Sequence, residues 1–97
     1  MASIKITPEE LRDAALVLEG KRDEIVSAVG VIEGKVNQTT SEWSGAAQSS
    51  FVASFEEMLP MLKENFPEVI TGICAQLKGA ADALESADQE VAKAFRG

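Results

Sequence analysis

The sequence predicts an all-α protein: an antiparallel helical hairpin of two long helices joined by a Trp-x-Gly turn, dimerising into a four-helix bundle. Three observations predict it. Apolar residues recur at alternating spacings of four and three through both halves of the chain, the period of a helix with one continuous seam. A single short stretch, Ser41-Glu42-Trp43-Ser44-Gly45, interrupts that pattern near mid-chain. No β-rich alternating segment occurs anywhere.

The first helix, about residues 8–41, has a clear start. Thr7 suits the N-cap, Pro8 the first helical position and Glu10 the third, which together make a capping box. Ile6 just before the cap is placed to staple onto Leu11. The seam then runs through Leu11, Ala15, Leu18, Arg22, Ile25, Val29, Ile32, Val36, Thr39 and Trp43. Arg22 carries the one charge in it, with a stem that packs and a head that reaches water. The turn occupies about residues 42–46. Gly45 tolerates a positive φ that other residues resist, which makes it a natural stop for the first helix. The connection is so short that the helices must be antiparallel neighbours.

The second helix, about residues 47–94, carries two apolar runs. Phe51, Phe55, Met58 and Leu62 form one. Phe66, Ile70, Ile73, Leu77, Ala80, Leu84, Ala87, Val91 and Ala94 form the other. They join with a step of four where strict phase requires three, an insertion that locally unwinds a supercoil. Pro60 and Pro67 flank this point, and each removes a backbone hydrogen bond. The expectation is a helix kinked near Pro60 and Pro67, with a true break as the alternative.

Such a hairpin needs a partner. Each helix buries one strip, and Val17, Val26, Val31, Val52, Leu59, Met61, Val69, Cys74 and Phe95 flank it and would stay wet. An exposed apolar stripe of that length marks an association surface. A second identical hairpin covers it most simply, giving a bundle with twofold symmetry. A heterodimer with a similar small protein is the alternative.

Composition excludes several functions. Hydrophobic residues make up 45% of the 97 and charged residues 26%, a globular balance, and the net charge is −7. With no histidine and one cysteine, the chain has no His-based acid–base catalyst, no intrachain disulfide and no four-thiolate metal site. Ser49, Ser50 and Ser54 have no evident base, so no catalytic residue, cofactor or metal is expected. The acidic balance argues against nucleic acid and against docking on anionic lipid. No apolar run is long enough for stable membrane insertion. Residues 1–10 lack an apolar signal-peptide core, which points to the cytoplasm unless export follows a route that reads no cleavable signal.

Trp43-Ser44-Gly45 lies between two amphipathic helices in a chain of 97 residues. This pattern resembles the WXG100 family, the small ESAT-6-like proteins exported by type VII (ESX) secretion systems. The resemblance covers the whole chain, 1–97, as a single helix-turn-helix domain. The opening from Ile4 to Leu11 is similar to that of members from Gram-positive bacteria. The family's C-terminal pattern maps onto Leu84, Asp88, Val91 and Phe95. Leu84, Val91 and Phe95 share one helical face bordered by Asp88, a spacing suited to docking in a groove with one charge contact. Leu84 and Val91 also read simply as bundle core, and Trp43 as a plug closing the bundle's end. The chain has no tyrosine, so the Tyr-x-x-x-Asp/Glu signal of mycobacterial pairs is absent. That departure favours the homodimeric Gram-positive type.

The resemblance implies a secreted substrate made in the cytoplasm and exported as a folded dimer. Its signal would be composite, the Trp43–Gly45 turn plus the Leu84–Phe95 tail, because an antiparallel dimer sets one protomer's turn beside the other's chain ends. The implied partners are a second copy or a second WXG100 protein, and the membrane ATPase of the secretion system. The alternative function is a cytosolic chaperone-like helical partner for a larger type VII toxin. Among remaining features, Gly30 and Gly34 suit close approach of another helix, Cys74 reads as a small buried hydrophobe or as the site of an intermolecular disulfide, and Asp82, Glu85 and Asp88 as a solvated acidic face. A weaker reading sets that acidic trio against basic residues of the ATPase.

Overall fold

A computed structural model describes residues 6–96, the side chain of Arg96 excepted. The elements are α1 (Pro8–Ser41), α2 (Ala46–Pro60), a π-helical turn (Met61–Asn65) and α3 (Phe66–Arg96). Helix α1 runs antiparallel to the continuous arm formed by the other three. The result is a rod with principal extents of 78 × 22 × 17 Å and a radius of gyration of 22.1 Å, against about 13 Å for a compact chain of this length.

Local chemistry sets the ends of α1. Thr7 is extended, its Oγ1 accepts from the Glu10 amide at 3.1 Å, and Pro8 opens the helix. This satisfies one of the amides that have no intrahelical partner. At the other end Thr39, Thr40 and Ser41 turn their hydroxyls back to the carbonyls of Lys35, Val36 and Gln38, and Ser41 thereby competes for the Gln38 carbonyl that the next helical amide, Glu42, would use. The Gln48 side-chain amide, from α2, donates to the Thr40 carbonyl at 3.1 Å. These groups, rather than Gly45, stop α1. Gly45 instead sits at the N-cap of α2 with φ 114° and ψ 178°, a region essentially closed to residues with a Cβ.

The two prolines do not break the second arm. Phe66 N–H donates to the Met61 carbonyl, a bond one residue longer than the α-helical one. The extra residue in the apolar pattern is taken up by widening the helix locally. Pro60 ends α2 and Pro67 lies in the first turn of α3.

The single seam expected for the second arm is two stripes. Val52, Phe55, Leu59, Pro67, Ile70, Cys74, Leu77, Ala81 and Leu84 are the half-buried or buried set, facing Leu11, Ala15, Leu18, Ile25, Val29 and Val36 of α1. Val52 and Leu59, expected to stay wet, belong to this inner face, as does Cys74, grouped with those flanking residues but also read as a small buried hydrophobe. Cys74 is 2% exposed and its Sγ donates to the Ala15 carbonyl at 3.5 Å. The inner face is thin: Ala15, Val29, Cys74 and Ala81 are its buried apolar residues, and no large side chain among the described residues is fully enclosed. Small residues let α3 lie close against α1, and nearly all close backbone approaches of α1 are to α3 and the π turn.

Phe51, Met58, Leu62, Phe66, Val69, Ile73 and Val91 form the second stripe and are exposed. Most of them precede an inner residue by one position, about 100° around the helix. On α1, Val17 and Ile32 are exposed with the same sense of offset. Because antiparallel helices turn in opposite senses when viewed from one end, both offsets bring the stripes to one side of the hairpin.

The opposite side is mostly polar and cross-linked, with Val26 exposed among Arg22, Lys63 and Glu64. Arg12 reaches Asp82 at 2.9 Å and Glu85 at 2.8 Å. Glu19 pairs with Lys78, and Glu33 with Lys63 at 2.9 Å. Arg22 donates from Nη1 to Thr71 Oγ1 at 3.0 Å and from Nε to Asp23 at 3.1 Å. Two members of the acidic trio, Asp82 and Glu85, therefore hold Arg12 instead of facing only solvent. Bonds to these two carboxylates raise the Arg12 pKa, Asp82 contributing most, so the guanidinium stays charged. A Cβ added at Gly30 or Gly34 would meet no atom within 4 Å, so neither glycine is needed for packing within the hairpin.

Candidate functional site

Two features project from opposite ends of the rod. At one end lies the turn. Trp43 is held by its amide, which donates to the Thr40 carbonyl at 3.2 Å. Its indole is 43% exposed and packs against Phe51 with ring centroids 6.0 Å apart and a 46° tilt. Phe51 in turn stacks on Phe55 at 6.5 Å with planes 4° apart. Such aromatic pairs are worth about 0.5–1.5 kcal/mol beyond their buried area. Between α1 and the turn they leave a cleft of about 160 Å³, lined by Lys35, Val36, Thr39, Thr40, Trp43 and Phe51. Gly45 lets the chain reverse directly after Trp43, and Ser44 is exposed between them.

At the other end lies the tail of α3. Leu84 is half-buried and Asp88 exposed. Val91 is 56% and Phe95 88% exposed. The reason is length. Arg12 lies level with Asp82 and Glu85, so Pro8, one turn earlier, lies level with the residues near Asp88. Val91 and Phe95 then extend past the start of α1.

The expected turn residues thus form one aromatic corner, and Leu84, Asp88, Val91 and Phe95 lie along one helix. The two groups do not meet within one chain, because most of the 78 Å rod separates them. Lys35, Thr40 and Gln48 are parts of the turn that sequence reasoning missed. The capping role of Gln48 had a signal in the orphan carbonyls that end any helix, but no spacing rule points to it. No group of three or more metal-ligating side chains occurs among the described residues, and no described helix is long and apolar enough to cross a membrane.

A thin hairpin that presents an aromatic corner at one end and an apolar helical tail at the other defines a class of small all-α hairpin proteins. Comparison with known proteins gives that class a family. The model of WXG100, "Proteins of 100 residues with WXG", matches residues 3–89. An ESAT-6-like protein of Streptococcus agalactiae is 31% identical over 97 residues, all of both chains. The type VII secretion system extracellular protein A of Staphylococcus aureus is 30% identical over 98% of this chain and 97% of its own. Among solved structures, the secreted protein EsxB of Bacillus anthracis superposes with a TM-score of 0.73 at 33% identity, covering 91% of this chain and 99% of that one.

The chain belongs to the WXG100 family. It is a small, non-enzymatic, extracellular substrate of a type VII secretion system of the Gram-positive type. Members of this family typically dimerise.

Proposed function

We propose that this chain is exported as a folded antiparallel homodimer and that its export signal exists only in that dimer. The observation that carries this reading is the separation of turn and tail by the length of the rod. One chain alone offers half of a signal at each end. Two chains packed head to tail offer a complete one, Trp43–Gly45 with Leu84–Phe95, at both ends. The membrane ATPase of the secretion system is the proposed reader, and a second WXG100 protein is the alternative partner.

Surface area supports the dimer. The accessible surface is 7288 Å², well above the roughly 5,400 Å² of a compact monomer of this mass. The excess is of the order that each chain buries in an obligate dimer. Along α2, the π turn and α3 its exposed apolar residues lie mostly on one side, as an isologous interface requires, while Leu16, Val26 and Val31 of α1 are exposed elsewhere.

The test is secretion of Trp43→Arg and Asp88→Ala by the native host, with folding and solution mass checked on purified protein. Both variants are expected to remain helical and dimeric yet to stay in the cell. Normal amounts of either folded dimer in the culture supernatant would overturn its half of the signal, and of both, the whole reading.

A further inference from the structure

The turn cleft and the exposed tail match each other in size and chemistry. The cleft measures about 160 Å³ and is walled by Trp43, Phe51 and Val36. A cavity of about 150 Å³ lined by apolar side chains accepts a benzene ring. Phe95 is the most exposed of the large hydrophobics among the described residues, at 88%.

We infer that Phe95 of one copy seats in the Trp43–Phe51 cleft of the other and locks each end of the dimer. This rests on the head-to-tail dimer proposed above and adds the contact that closes it. Packed along its full length with its apolar side inward, the rod places the twofold axis near Ile25 of α1 and Ile73 of α3, and the tail of each copy level with the other's turn. Charge agrees with this direction. Lys35 stands at the rim of the cleft and Glu90 lies little more than one turn before Phe95. The last turn of α1 contains no basic residue, and Lys93 of the incoming tail brings a cation to that carbonyl-rich end. Parallel pairing would instead set tail against tail, with Asp88 and Glu90 facing their own copies. In the head-to-tail arrangement Phe95 assembles the signal, and Trp43 is partly covered in the dimer instead of free.

The chain holds one tryptophan and no tyrosine, so its emission reports on the turn alone. Wild type and Phe95→Ala are compared by emission spectrum and by sedimentation on the same samples. The expected result is two dimers, with the Trp43 emission of Phe95→Ala shifted to the red by several nanometres and more accessible to iodide. Phe95→Leu, which keeps an apolar plug, restores most of the wild-type spectrum. Two dimers with identical Trp43 spectra overturn the seating while leaving the dimer intact. A wild-type monomer overturns the dimer and the seating together. A second readout is disulfide formation in the double variant Lys35→Cys, Phe95→Cys made with Cys74→Ala, whose two introduced thiols are too far apart to join within one chain. A covalent dimer that requires both substitutions supports the seating. One formed by Phe95→Cys alone indicates tail-to-tail pairing and overturns it.

Discussion

The two long sides of the hairpin use the same helices for different ends. One side is laced by Arg12 with Asp82 and Glu85, Glu19 with Lys78, and Glu33 with Lys63. The other carries Phe51, Met58, Leu62, Phe66, Val69, Ile73 and Val91, all exposed, with Phe51 packed against Trp43 and Phe55 at the turn. The polar side sets register, because each charge reaches its partner at only one longitudinal offset of the helices. It contributes little stability, since exposed pairs are worth about 0–1 kcal/mol each. The apolar side holds most of the available driving force, and the hairpin alone leaves it unused. A small rod can thus be well specified and weakly held, and the proposed second copy would cover its apolar side.

Placing a charge on the apolar side should break this comparison most severely. Ile73→Asp at its centre is expected to weaken the dimer about a thousand-fold, or roughly 4 kcal/mol, because the carboxylate would be buried without a partner. Since Ile73 is 43% exposed in the hairpin, helicity by circular dichroism should survive at low concentration, and sedimentation reads the loss. The inner face comes next. Ala81 is 0% exposed, so Ala81→Leu must push α3 away from α1 at a cost of about 1–3 kcal/mol, measured as a lower denaturant midpoint. At the turn, Gly45→Ala forces a Cβ into a backbone region it resists and should cost about 1–3 kcal/mol, while leaving the far-ultraviolet spectrum of the helices intact. Thr7→Ala removes the cap of α1 and should cost about 1 kcal/mol, seen as faster amide exchange in the first turn. The smallest effect belongs to the polar side. Lys78→Ala should shift stability by less than about 1 kcal/mol and leave the dimer constant unchanged.

Much of this could be read in the sequence because local rules decide it. Thr7, Pro8 and Glu10 mark the start of α1 by capping chemistry, and the turn lies where the apolar pattern pauses. Other features depend on relations between helices that no single-helix spacing reveals. A step of three and a step of four rotate to opposite sides of a helix face. A run such as Phe66, Ile70, Ile73, Leu77 therefore alternates between an outer and an inner stripe while reading as one seam. The pairing of Arg12 with Asp82 and Glu85 depends on the longitudinal offset of α1 and α3, so the acidic trio looked simply solvated. Gly45 was expected to end α1, but the glycine serves the start of α2, and side-chain hydroxyls with Gln48 end α1. The inserted residue near Pro60 was legible, but the form it takes was not. A kink, a break and a π turn all accommodate one extra residue, and the hydrogen bond from Phe66 to Met61 decides among them.

Sedimentation equilibrium of the purified wild-type chain at micromolar concentration tests the central claim, that a second copy covers the apolar side. A single species of twice the 10.3 kDa chain mass is expected. A stable monomer of 10.3 kDa over the same concentration range would contradict it, and with it the idea that turn and tail act together.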